Sequence, residues 1–157
     1  MHPGAERVQQ ALRSGGATGD VVELASTAAT AALAAEVLGV SVGQIANSLV
    51  FIADDDPVLV LTSGANRVDL HKVAAVLGAA KVRRANPDEV REATGFTIGG
   101  VPPVAHSTVL PVLIDRDLAQ HDEIWAAAGT PRTVFRSTYD ELARLSGARP
   151  ADVRREA

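Results

Sequence analysis

The sequence predicts a single compact α/β (α+β) domain spanning residues 1–157, with a mixed sheet flanked by helices. Three observations carry that expectation. The chain has 157 residues with no shift of composition along it, the size of one domain. Apolar residues recur now at helical spacing and now in strand-length runs, so helices and strands interleave. Two of those runs, SLVFIA and PVLVLTS, are apolar on both faces and are separated by Asp54, Asp55 and Asp56, which puts a hairpin at the centre of the core.

The elements follow in order. Val8 and Leu12 lie on one face of a helix over 1–13, which the flexible SGGATGD ends. A strand is expected over 21–24. Ser26 or Thr27 then caps an alanine-rich helix that runs to Leu38, with Gly39 taking the left-handed position behind it. After the hairpin, Asp69 caps a helix carrying Leu70, Val73, Ala74 and Leu77, and 81–84 forms a short strand. Asn86, Pro87 and Glu89 make a capping signature for PDEVREAT. FTIGGVPPVAHS is a Gly/Pro loop, VLPVLID a strand ending in Asp115, 121–128 a mixed segment and 133–136 a strand. Thr138 and Glu141 cap a last helix that stops at Gly147.

Composition narrows the chemistry. Hydrophobic residues make up 46% of the chain but aromatic residues only 3%, so an aromatic base-stacking platform is not expected. The absence of cysteine removes disulfides, thiolate metal sites and a Cys nucleophile, and fits a reducing, cytoplasmic setting. No signal segment or membrane-spanning run is present. A net charge of −4 argues against tight, sequence-independent wrapping of nucleic acid. Lys81, Arg83 and Arg84, and later Arg149, Arg154 and Arg155, read as a solvated face and a charged tail.

Four stretches hold candidate chemistry. Gly99, Gly100, Val101, Pro102 and Pro103 form either a tight strand connection or a loop whose free amides approach a ligand, as an oxyanion requires. His106, beside it, is either a loop histidine or a group that orients a ligand. SGANRVD joins a strand to a helix and reads as a capped turn with a solvent-facing arginine or as an anion site using Asn66 and Arg67. Asn47 opens an apolar run and reads either as a strand-entry residue bonding its own backbone or as an amide poised beside the core. GxSxG, GxGxxG and P-loop patterns are all missing, and His2, His71, His106 and His121 show no metal-ligand spacing. No metal and no cofactor are expected.

In consistent order, LGVSVGQIANSLVF, PVLVLTSGANRVDLHKVAAVLG, ANPDEVREATGFTIGGVPPVAH, LPVLIDRDL and AAGTP resemble the YbaK-like family, related to the editing domain inserted in bacterial prolyl-tRNA synthetases, over residues 25–145. The resemblance implies a barrel-like mixed sheet and a free-standing aminoacyl-tRNA deacylase. Such an enzyme hydrolyses the ester joining a small wrong amino acid, such as alanine or cysteine, to tRNA for proline. It implies as partners the acceptor end of aminoacylated tRNA and, transiently, an aminoacyl-tRNA synthetase, and we expect a monomer. The family's GxxxP-type loop falls on Gly99 to Pro103, and Asn47 stands where the family commonly carries a functional lysine. The expected catalytic residues are Asn47, Gly99, Gly100 and His106. Thr27, Ser48, Gly64, Arg67, Val101, Pro103 and Asp115 are expected to bind substrate, and Lys72 and Arg67 are candidates to replace the missing cation. Loss of the lysine leaves two alternatives open: a non-catalytic aminoacyl-tRNA or amino-acid binding module of the same fold, and a domain serving only protein contacts.

Overall fold

The computed structural model describes residues 1–156. In order these form α1 (Pro3–Ser14), β1 (Val21–Glu23), α2 (Ala31–Leu38), β2 (Ile45–Ala53), β3 (Asp56–Ser63), α3 (Leu70–Leu77), β4 (Val82–Arg84), α4 (Pro87–Thr94), β5 (Val112–Asp115), β6 (Ile124–Ala127), β7 (Thr133–Ser137), α5 (Tyr139–Ser146) and β8 (Arg149–Ala151). Short 3-10 turns lie at Val42–Gln44 and Arg116–Gln120.

The expected hairpin organises the sheet. β2 and β3 pair antiparallel from Ala46↔Ser63 to Ala53↔Asp56. Asp54 makes the reversal with φ 56, a region aspartate tolerates better than most residues. Its carboxylate also accepts from the N–H groups of Ala80 (3.1 Å) and Lys81 (3.0 Å), tying the turn to the start of β4. Around this hairpin the strands form one mixed eight-stranded sheet, ordered β1-β7-β6-β2-β3-β5-β8 with β4 branching from β2. The segment expected as a charged tail instead contributes β8, which pairs parallel with β5. Val153 behind it is fully buried.

Strand alternation divides the interior. Val50 and Ile52 of β2, with Leu59 and Leu61 of β3, join Val8 and Leu12 of α1, Val90 of α4, Leu142 of α5 and Phe135 in the main core. The opposite face carries Phe51, Val58 and Val60 against Val73 of α3 and Leu113. A smaller cluster sets Ala34 and Ala35 of α2 against Ile45 and Trp125. Helix ends follow the expected chemistry at Asp69, Asn86 and Thr138. The cap of α2 is corrected: Thr30, not Ser26 or Thr27, accepts from the Leu33 N–H at 3.2 Å, which leaves 24–30 as loop. No helix among the described residues is long and apolar enough to cross a membrane.

Asp115, 1% exposed, knots the far end of the hairpin. It accepts from Thr62 Oγ1 (3.2 Å), Ser63 N–H (3.0 Å), Asn66 Nδ2 (2.9 Å) and Asp117 N–H (2.9 Å). Ser63 Oγ in turn donates to the Gly43 carbonyl at 2.9 Å, fixing the chain just before β2. Asp115→Ala would strand several buried donors at once. It is expected to cost about 3 kcal/mol, read as a lower urea midpoint with unchanged slope.

Candidate active site

β2 has one full partner and two partial ones. Along its edge opposite β3, β6 pairs only with Ile45 and Ala46 and β4 only with Phe51, Ile52 and Ala53. Main-chain groups alternate between the two edges of a strand. The bond from Gly64 N–H to Ile45 O (2.8 Å) assigns the odd-numbered residues to β3, and the bond from Ala85 N–H to Val50 O (3.1 Å) assigns the even-numbered residues to the other edge. The N–H and C=O of Ser48 therefore face the space between β6 and β4, beyond the reach of either ladder.

A cavity of about 240 Å³ opens at that place, room for roughly eight waters at about 30 Å³ each. Asn47, Ser48, Leu49 and Val50 form its floor, Trp125 and Ala127 one side, Arg84 and Ala85 another, and Gly99 and Val101 a third. The loop before α2 and the helix itself close it with Ala28, Ala29, Ala31 and Ala34. These small side chains are what leave the space.

The Gly/Pro loop is braced from within. Gly100 N–H donates to Thr97 O (3.1 Å), and Gly129 N–H donates to Gly100 O (3.0 Å). Gly99 sits between with φ 93, a conformation glycine alone takes without strain. A Cβ on Gly100 would lie 2.8 Å from Thr130 Cα and 2.9 Å from its carbonyl carbon, so this glycine serves a close approach of two backbones. The N–H groups of Gly99 and Val101 have no acceptor among the described residues.

The structure brings together only some of the expected residues. Asn47, Ser48, Gly99 and Val101 line the cavity. The bond expected from Asn47 to its own backbone is not formed: its side chain makes no hydrogen bond among the described residues, and it is the third residue of β2. Ser48 Oγ is buried without a partner. Gly100 lies just behind the wall, its amide already committed to Thr97. Thr27 is exposed in the loop before the lining residues begin. Pro103 is buried outside the lining, and His106 Nε2 donates to the Pro102 carbonyl at 2.7 Å, clamping the loop from its far side. Asp115 lies at the knot described above. Gly64 packs under Val42, whose carbonyl would be 2.5 Å from an added Cβ. Arg67 lines a separate shallow surface with Arg154 and Arg155. Lys72 is bound to Asp152 (3.0 Å), Glu156 (3.1 Å) and the Arg154 carbonyl (2.7 Å), so it is engaged away from the cavity.

Sequence reasoning missed Arg84 and Trp125. Within the basic run, Arg83 is held by Glu89 in a two-pronged contact of 2.7 and 2.8 Å. That contact, with the Asn86 N–H, draws the Glu89 carboxyl down to about 2. Arg84 forms no ion pair among the described residues and is the one ionisable residue lining the cavity. The signal was present in the run, but not which arginine would be free. Among the described residues no group of three or more His, Asp or Glu is arranged to hold a metal ion.

Residues 25–145 match the family described as aminoacyl-tRNA editing domain. The chain is 35% identical over 128 residues to the uncharacterized protein YwhH of Bacillus subtilis (strain 168), covering 81% of each. It is 46% identical over 70 residues to the proline–tRNA ligase of Lactobacillus gasseri, covering 45% of this chain and 12% of the ligase. A crystal structure of a candidate trans-editing enzyme for prolyl tRNA synthetase superposes with a TM-score of 0.93 at 49% identity, covering 99% of each chain.

Two outcomes test the geometry. Gly100→Ala is expected to destabilise by about 1 to 3 kcal/mol through overpacking against Thr130, seen in denaturant unfolding. Burial holds the His106 imidazole below its ordinary 6.5, with the Pro102 hydrogen bond acting the other way. The folded state thus favours neutral His106, so its contribution to stability is complete above pH 6.5 and declines as pH falls toward the folded value. NMR titration should place this ring below 6.5, and His106→Gln should flatten the fall in stability between pH 7 and 5.

Proposed function

The chain belongs to the aminoacyl-tRNA editing domain family, and from that premise we propose that it acts in trans as a deacylase of tRNA carrying a small wrong amino acid, the tRNA being of the proline type. The observation that carries the reading is the small alanine-walled cavity, bordered by unpartnered amides of Gly99 and Val101 and by the amide of Asn47. In this reaction water adds to the ester carbonyl, the C–O bond to the terminal ribose breaks, and the ribose oxygen takes up the proton. Free amino acid and intact tRNA result. The Gly99 and Val101 N–H groups meet the charge that develops on the carbonyl oxygen, since preorganised donors bind the transition state's negative oxygen more strongly than the neutral carbonyl. Asn47 hydrogen-bonds the ester or the terminal ribose with a neutral donor and acceptor. Arg84, exposed at the rim, supplies the cation toward a tRNA phosphate that a lysine at position 47 would otherwise bring close. Gly100, Pro103 and His106 hold the loop in shape, and transient contact with prolyl-tRNA synthetase would deliver the substrate.

A second reading is favoured by one feature: no lining residue except Arg84 is ionisable, so no lining side chain offers a general base and the proton would pass through water or the ribose hydroxyl. On that reading the domain binds aminoacylated ends without cleaving them. Alanyl, seryl and cysteinyl tRNA for proline, incubated with the folded protein, decide between the two; no turnover on any would remove the first. Where the parent is inactive, Asn47→Lys should create hydrolysis; where it is active, the same change should weaken it. Arg84→Gln should raise KM about tenfold with kcat nearly unchanged, and should reduce the salt slope of binding by about one.

A further inference from the structure

The gap beside Ser48 has a register. Ile52 pairs with Arg83 in the β2–β4 ladder, and Ala85 N–H bonds Val50 O, so the next hydrogen-bonded pair in the same alternation would join Ser48 to residue 87. That residue is Pro87, the first residue of α4. It has no N–H, and Asn86 before it is committed to capping the helix, where Asn86 Oδ1 accepts from Glu89 N–H at 2.8 Å. The ladder therefore stops one pair early, at the cavity floor. The N–H and C=O of Ser48 are left without ladder partners there, and its Oγ is buried without a partner as well. Buried polar groups are nearly always satisfied, so the concentration of unmet groups on one residue marks a place completed by something else.

We infer that the aminoacyl group binds as the missing pair of this ladder: its α-ammonium donates to the Ser48 carbonyl and its acyl carbonyl accepts from the Ser48 N–H. An antiparallel hydrogen-bonded pair requires one N–H donor and one C=O acceptor on the same residue, and an aminoacyl ester offers that set on a single residue. A cavity with room for roughly eight waters at about 30 Å³ each suits an insert of one small residue. Paired residues in such a ladder send their side chains to the same face. The substrate side chain therefore sits beside Ser48 Oγ, between Ala46 and Val50. This inference rests on the deacylase reading only for the identity of the ligand; it concerns how the ligand is held.

The test uses the ¹⁵N-labelled full chain and two non-hydrolysable ligands, 3′-(L-alanylamino)-3′-deoxyadenosine and its 3′-propionylamino counterpart, which lacks only the ammonium. In the free protein the Ser48 amide should exchange fast for a residue in the middle of a central strand, and the alanyl ligand should slow that exchange at least tenfold. The propionyl ligand should bind about tenfold or more weakly, as loss of a charge-assisted hydrogen bond predicts. Unchanged Ser48 exchange at saturation, equal affinity of the two ligands, or no binding of the alanyl ligand each overturns the inference. Hydrolysis of mischarged tRNA is measured separately. Turnover without Ser48 protection refutes the ladder and leaves the deacylase, whereas Ser48 protection without turnover refutes the deacylase and leaves the ladder.

Discussion

A strand edge can be hydrogen-bonded to only one neighbour at any point along its length, and the site of this protein follows from how β2 divides that edge. β6 takes the first two residues and β4 the last three, running in opposite senses. The two partners diverge, so neither can cover Ser48. Everything that surrounds the cavity is arranged around this interruption: α4 begins where β4 would have continued, and the loop before α2 reaches over the opening. The other edge of β2 carries the compensation. Its long antiparallel register with β3 holds the strand in place while four of its residues, Asn47 to Val50, lie outside both ladders on the open side.

Holding that register is the work of groups remote from the cavity. The Asp54 turn fixes one end of the hairpin, and the Asp115 carboxylate, through Ser63 and Gly43, fixes the other. Both are acidic residues whose oxygens satisfy backbone donors, the pattern expected of a carboxylate that organises a turn or strand end. Asp115 thus acts on the site through strand geometry. The Gly/Pro loop is built in the same spirit: Gly100 lets two backbones meet and His106 ties the loop to itself, while the amides of Gly99 and Val101 stay unpaired.

The charge distribution is equally selective. Several cations are engaged in ion pairs: Arg83 with Glu89, Lys72 with Asp152 and Glu156, and Arg154 with Asp117. Arg84 is left at the rim of an otherwise uncharged cavity. A protein of net charge −4 repels a polyanion overall, so a single unneutralised guanidinium beside the opening gives direction to an encounter that the whole surface does not favour.

The sequence by itself determined the central hairpin, the capped helices and the family. Each depends on neighbours close along the chain: two doubly apolar runs flank an aspartate turn, Asn86, Pro87 and Glu89 form a cap, and the ordered motifs run from residue 25 to 145. It also marked Asn47, Ser48, Gly99 and Val101 as candidates that do meet at one cavity. It did not separate Gly99 from Gly100, because only the contact with Thr130 and the bond to Thr97 show which glycine is structural. It placed the α2 cap early, since Ser26, Thr27 and Thr30 offer the same side-chain chemistry and packing of α2 on Ile45 and Trp125 selects among them. It gave no sign of β8, whose parallel partner β5 lies more than thirty residues away, nor of which arginine would be free. The gap beside Ser48 was decided by tertiary structure alone, because an unpaired edge depends on where two distant strands stop, and no residue in β2 records that.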